Sequence, residues 1–155
     1  MLKYHNYDIV FQEIPDEITL AINITGCKNS CYNCHSKHLQ KDAGEELTIK
    51  LLEQLLAKYD HRISCICFMG GDHNPKQIDS LARFIKTITC NRIKTAWYSG
   101  KNSLPDEIQP MNFNYIKLGA YNDTLGGLKL RSTNQRLYKI SDGRLDNITE
   151  KFWGK

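Results

Sequence analysis

No apolar run in this chain approaches the roughly 18 residues at which a membrane-spanning helix becomes expected. The opening residues Met1-Leu2-Lys3-Tyr4-His5-Asn6-Tyr7-Asp8 place polar and charged side chains where a secretory signal would hold its apolar stretch. With no export signal visible, the cytoplasm is the expected compartment. A basic block is also missing. The 21 Lys and Arg are scattered without a cluster of five or more, and the formal charge is only +4, so nucleic acid is not an expected partner. Internal repeats, Pro/Ser-rich linkers and low-complexity tracts are absent too. Apolar residues make up 41% and charged residues 25%, which excludes a disordered or collagen-like chain. A length of 155 residues predicts one domain over 1–155, with a C-terminal strap or tail from about residue 122.

What the chain does have is cysteine. Six occur, at 27, 31, 34, 65, 67 and 90, and the first three crowd into one short stretch. A chain long enough to build a core, with no export signal, has little need of a disulfide framework. In a reducing compartment, closely spaced cysteines point to metal binding or redox chemistry.

The order of elements gives these cysteines a setting. Ile18 to Thr25 is β-branched and apolar, reads as a buried strand, and stops at Gly26 just before the cysteine stretch. Residues 44–59 read as a helix, with Leu47, Leu51, Leu52, Leu55, Leu56 and Tyr59 on one stripe and Thr48 as N-cap of its core. Ile63 to Met69 is a second strand, stopped by Gly70-Gly71. A helix then starts at Asn74-Pro75-Lys76-Gln77, with an Asn cap, Pro at the first helical position and Gln at the third. Its apolar face is Ile78, Leu81, Ala82, Ile85 and Ile88. Ile93 to Ser99 and Tyr115 to Leu118 are two more strands, and 101–114 has room only for a short helix or turn. Tyr7 to Ile14 reads as a short leading strand, Leu128 to Ile140 as an edge strand or strap, and Phe152-Trp153 as an anchor for the tail.

Alternating strands and helices predict an α/β fold of βαβ units with a mostly parallel sheet. Four such strands are too few for a closed eight-stranded barrel, so an open or partial β/α barrel is expected. Ligand sites in such folds lie at the C-terminal strand ends. That rim would gather Thr25-Gly26-Cys27, Met69-Gly70-Gly71-Asp72 and Tyr98-Ser99-Gly100.

Cys27-Lys28-Asn29-Ser30-Cys31-Tyr32-Asn33-Cys34 spells C-x3-C-x2-C. Three thiolates on one short loop can converge on a single inorganic centre, and thiolates favour iron–sulfur clusters or zinc. A structural zinc would want four closed ligands, and His38 could supply the fourth in a Cys3His module, with His35 as another candidate. A four-iron cluster on three cysteines leaves one iron open for a substrate. The residue types alone leave both readings, and a disulfide, open.

In this setting the triplet resembles the signature of radical S-adenosylmethionine enzymes. Thr25-Gly26-Cys27, Cys34-His35-Ser36, Phe68-Met69-Gly70-Gly71-Asp72, Ala96-Trp97-Tyr98-Ser99-Gly100, Tyr115-Ile116-Lys117-Leu118-Gly119, Thr133-Asn134-Gln135-Arg136 and Ile148 to Trp153 together resemble the activating proteins of anaerobic ribonucleoside-triphosphate reductases. The resemblance covers about residues 8 to 153. It implies a [4Fe–4S] cluster on Cys27, Cys31 and Cys34, with S-adenosylmethionine chelating the fourth iron. It further implies reductive cleavage of that cofactor and a glycyl radical on the reductase large subunit. Flavodoxin or ferredoxin would donate the electron. Gly70, Gly71 and Asp72 would meet the methionine amino group, Ser99 the ribose or carboxylate, and Lys117 the carboxylate. The wider superfamily often has an aromatic residue directly before the third cysteine; here Asn33 stands there and Tyr32 one place earlier, so no adenine stack is expected from this loop. Acting on a small molecule, or serving as a non-catalytic Cys3His zinc adaptor, are the alternative functions. Bland readings fit the remainder: Cys65, Cys67 and Trp97 as core, His5, His61 and His73 as surface residues, Lys117 equally as a solvated strand lysine.

Overall fold

The computed structural model describes residues 1–26 and 44–153. Its described residues build one open sheet from β1 (Lys3–Val10), β2 (Thr19–Ile24), β3 (Glu45–Glu46), β4 (Cys65–Met69), β5 (Lys94–Tyr98), β6 (Tyr115–Leu118), β7 (Arg136–Ser141) and β8 (Arg144–Asn147). The strand order is β3-β1-β2-β4-β5-β6-β7-β8. Helix α1 (Ile49–Tyr59) leads into β4, and α2 (Pro75–Ile88) joins β4 to β5.

The expected α/β class holds, but the sheet is mixed rather than mostly parallel. Only β2, β4, β5 and β6 run parallel. β1 and β3 flank them antiparallel on one side, and β7 and β8 on the other. Helix α2 carries the chain across from β4 to the parallel β5, whereas the two-residue turn between β7 and β8 allows only an antiparallel hairpin return.

Period-two alternation divides the sheet into two faces. Leu20, Ile22, Ile66, Phe68, Trp97 and Ile116 stack across the parallel strands and pack against Leu52, Leu55, Leu56, Ile78, Leu81 and Ile85 of the two helices. Each such buried side chain contributes roughly 1.5–3 kcal/mol. A one-residue slip would turn the whole row away from the helices, so the register is fixed. The opposite face carries Cys65, Cys67, Ala96 and Tyr115, covered by Ile14, Leu137 and, at the edge, Phe152. Both helices therefore cover one face, and loops and the tail cover the other.

Local chemistry explains the ends. Thr48 caps α1 by accepting from the Leu51 amide at 3.1 Å. Helix α1 starts at Ile49, short of the expected 44, because Glu45–Glu46 pairs with β1 instead. Asn74 caps α2 by accepting from the Gln77 amide at 3.2 Å. Gln77 does not close a capping box. Its Oε1 accepts from the Leu2 amide at 2.7 Å and its Nε2 donates to the Leu47 carbonyl at 3.1 Å, tying β1 to the start of α2. The leading strand begins earlier than expected, at Lys3, and ends at Val10. The tail is a hairpin rather than a single strap: Asp142 and Gly143 turn it with φ of 51° and 77°, the left-handed pair of a tight two-residue loop.

Candidate functional site

β2, β4, β5 and β6 end at one rim. β2 delivers Thr25 and Gly26, and Thr25 is pinned by its amide and hydroxyl to the Lys3 carbonyl at 2.9 and 3.2 Å. The cysteine stretch departs from this point. Cys27, Cys31 and Cys34, with His35 and His38, lie outside the described residues.

The β4 end is Gly70-Gly71-Asp72. Gly70 and Gly71 adopt φ of +104° and +89°, conformations that suit glycine. A Cβ on Gly71 would sit 2.8 Å from Ile78 Cδ1, so this loop packs directly onto α2. Their carbonyls, expected to be open to an ammonium group, already take partners: Gly70 O accepts from Trp97 Nε1 at 2.7 Å, and Gly71 O from the Asn74 amide at 3.0 Å. A carbonyl has a second lone pair, so each retains capacity for one further donor.

Asp72 binds the next rim loop. Ser99 Oγ donates to Asp72 Oδ1, and the Gly100 amide donates to Asp72 Oδ2 at 2.8 Å. Ser99 is fully buried and its Oγ also accepts from the Lys101 amide at 3.0 Å. Lys117 is not the solvated lysine of the bland reading. It is 7% exposed, its ammonium donates to the carbonyls of Ser99 (2.7 Å) and Gly119 (3.1 Å), and it sits 5.4 Å from the Tyr98 ring centroid. Two backbone carbonyls and a π-face thus help to hold the ammonium at the rim. Gly70, Gly71, Asp72, Ser99 and Lys117 form one connected network across three strand ends.

The remaining motif, Asn134-Gln135-Arg136, pins the tail. Asn134 Nδ2 donates to the Ala120 carbonyl at 3.0 Å, Gln135 Nε2 to Gly119 at 3.3 Å and Arg136 Nη1 to Thr133 at 2.6 Å. Trp153 Nε1 donates to the Leu128 carbonyl at 3.0 Å, as an anchor should. Trp97 is core, and His5, His61 and His73 are exposed.

The other cysteines are separated from this rim by burial or by position. Cys65 and Cys67 are fully buried. Desolvation pushes both thiols well up, with nearby negative groups adding to it, so they stay protonated, and the thiolate is the metal-binding form. Cys90 is exposed after α2, near the N-terminal end of β5 and far from the rim. Among the described residues no group of three or more His, Cys, Asp or Glu could hold a metal ion.

A buried ionic cluster that the residue pattern did not single out occupies the other end of the sheet. Glu17 accepts from Ser64 Oγ (2.7 Å), Lys94 Nζ (2.6 Å) and Tyr115 Oη (2.7 Å). Burial pushes its carboxyl up, but these donors and the Lys94 charge outweigh it and hold it below the usual range. The four positions are distant in sequence, and no short spacing announces them.

No helix among the described residues is long and apolar enough to cross a membrane. No curated protein matches the chain. The family described as the 4Fe-4S single cluster domain matches residues 18–113, from β2 through the cysteine triplet to the approach to β6. That span is more than half of the 155 residues, and the chain belongs to the 4Fe-4S single cluster domain family.

Proposed function

We propose that this chain is a cytoplasmic radical S-adenosylmethionine activase that installs a glycyl radical on the large subunit of anaerobic ribonucleoside-triphosphate reductase. The carrying observation is membership of a 4Fe-4S family typical of radical S-adenosylmethionine-related proteins, with a three-cysteine signature leaving the rim where Gly70, Gly71, Asp72, Ser99 and Lys117 meet. Membership favours iron–sulfur over the zinc adaptor. Cys27, Cys31 and Cys34 would hold the cluster, in a sheet read as the open barrel of that superfamily. Bound there, such a cluster would supply one-electron reduction of S-adenosylmethionine, the chemistry needed to remove a hydrogen atom from a glycine of the reductase.

This chain's residues bind and orient. Thr25 and Gly26 fix where the cysteine loop leaves β2. Gly70 and Gly71 bring backbone carbonyls to the rim; each already accepts one hydrogen bond, from Trp97 Nε1 and the Asn74 amide, and its second lone pair would be the acceptor for an amino group. Asp72 adds negative charge there while holding the β5 loop through Ser99 and Gly100. Lys117 adds positive charge suited to a carboxylate. The sheet face behind the rim packs Cys67 with Met69 and Tyr98 into an apolar cluster. A flavodoxin or ferredoxin would deliver the electron.

The test is electron paramagnetic resonance after anaerobic incubation of reconstituted protein with reductant, S-adenosylmethionine and the reductase. A glycyl radical signal on the reductase is expected. Cofactor cleavage without that signal would remove the assigned target, and no cleavage would remove the activase reading.

A further inference from the structure

The face of the sheet turned away from the helices is roofed by the connection 11–17, the stretch around Leu128, and the short helical turn Thr149–Phe152. Between them lies a cavity of about 350 Å³ whose walls include Glu13, Tyr98, Leu128, Leu130 and Phe152. Three properties of this cavity describe an occupant.

The walls are largely apolar, and Leu130 on them is 55% exposed, so an apolar side chain stands open at the cavity mouth. Charge is the second property. Residues 124–141 contain Lys129, Arg131, Arg136 and Lys139 and no acidic residue. Lys129 and Arg131 bracket Leu130 and are exposed. Lys129 donates to Gln12 Oε1 at 2.6 Å, and Arg131 lies 5.5 Å from the Trp153 ring centroid. Neither is in an ion pair with a carboxylate among the described residues, whereas Lys151 nearby already pairs with Asp16 at 3.1 Å. Third, Glu13 Oε2 is buried without a hydrogen-bond partner among the described residues. Such an oxygen is costly until a donor reaches it. Tyr98 cannot serve, since its hydroxyl donates to the Glu13 backbone carbonyl.

An acidic polypeptide segment with one apolar anchor supplies all three needs. Its anchor fills the cavity, its carboxylates face Lys129 and Arg131, and a backbone N–H meets Glu13. We propose that this cavity and its basic margin form the docking groove for such a segment on the partner protein. The inference deepens the proposed function by giving the partner's recognition chemistry, and rests on it only for which protein carries the segment.

The experiment is fluorescence anisotropy of the full, cluster-loaded chain with a labelled peptide, Asp-Asp-Leu-Gly-Asp-Asp, and two controls in which Lys replaces Asp or Ser replaces Leu. The acidic, leucine-bearing peptide should bind roughly tenfold more tightly than either control, and a Lys129→Glu, Arg131→Glu double variant should lose about the same factor. Leu130→Asp should weaken binding similarly. All three positions are exposed, so folding should survive, and cleavage of S-adenosylmethionine driven by a chemical reductant should be unchanged. Equal binding of the three peptides, or no effect of the substitutions, overturns the proposal. So does equal competition by a single-stranded oligonucleotide or anionic vesicles, which would mark bare attraction of polyanions. A wild-type chain that selects the acidic peptide but never cleaves the cofactor would uphold the groove and end the activase reading.

Discussion

Asp72 joins two loops that belong to different strands, and it does so through Ser99, a side chain with no exposure to solvent. Ser99→Ala removes a donor to that carboxylate and an acceptor for the Lys101 amide. Leaving buried groups unmade costs about 1–3 kcal/mol, so a stability loss of that size is expected in denaturant unfolding, with weaker S-adenosylmethionine binding by equilibrium dialysis. An unchanged midpoint would mean the staple carries no load. Gly71→Ala should cost about 1–3 kcal/mol, because the new Cβ meets Ile78 Cδ1 at 2.8 Å on a backbone with φ of +89°. The cysteines divide cleanly. Cys31→Ala should abolish cluster absorbance in reconstituted protein, whereas Cys65→Ala should keep it and lose only packing, roughly 1–2 kcal/mol. Cofactor cleavage by a Cys31→Ala chain that holds no cluster would contradict the ligand assignment.

Elements add a pH dependence. Glu17 holds Ser64, just before β4, to Lys94 of β5 and Tyr115 of β6. Its folded carboxyl lies below the ordinary value of about 4.3 that it would have unfolded. The ionised form is therefore favoured by folding. Its contribution is complete above the unfolded value and is lost as pH falls through the folded one. Thermal melts of the wild type should fall as pH drops below the unfolded value of about 4.3, and Glu17→Gln should be less stable at neutral pH and flatter over that fall. A variant that tracks the wild type at every pH would show that Glu17 does not couple these strands. The elements differ in how far the residues announce them. Helix α2 could be read from its Asn74 cap and its Ile78, Leu81, Ala82, Ile85 stripe, because local spacing alone decides both. The antiparallel flanks could not, because β3 is only Glu45–Glu46 and exists by pairing with Lys3 and Tyr4. The β7–β8 hairpin did carry a local signal, Asp142-Gly143, between strands too short and polar to show alternation. Gln77 sits where a capping box would use it, yet it serves tertiary contacts to Leu2 and Leu47.

At the scale of the whole molecule, the four parallel strands end at one rim, and the candidate site residues of the described chain gather there. Strand ends Thr25-Gly26, Gly70-Gly71-Asp72 and Ser99-Gly100 were legible because glycine after a buried strand marks a turn, and parallel order puts such turns together. The role of Lys117 was not, because a lysine next to last in a strand looks the same whether it meets water or the carbonyls of Ser99 and Gly119. Nor was the cavity, which needs the connection 11–17 and the tail to meet over β5. Whether Cys27, Cys31 and Cys34 hold a four-iron cluster with one iron left for S-adenosylmethionine is decided by the electron paramagnetic resonance spectrum of the anaerobically reconstituted, reduced chain, recorded before and after S-adenosylmethionine is added. A reduced-cluster signal that changes shape on addition is the predicted result. A colourless, zinc-loaded protein without signal, or a cluster signal indifferent to the cofactor, would contradict it.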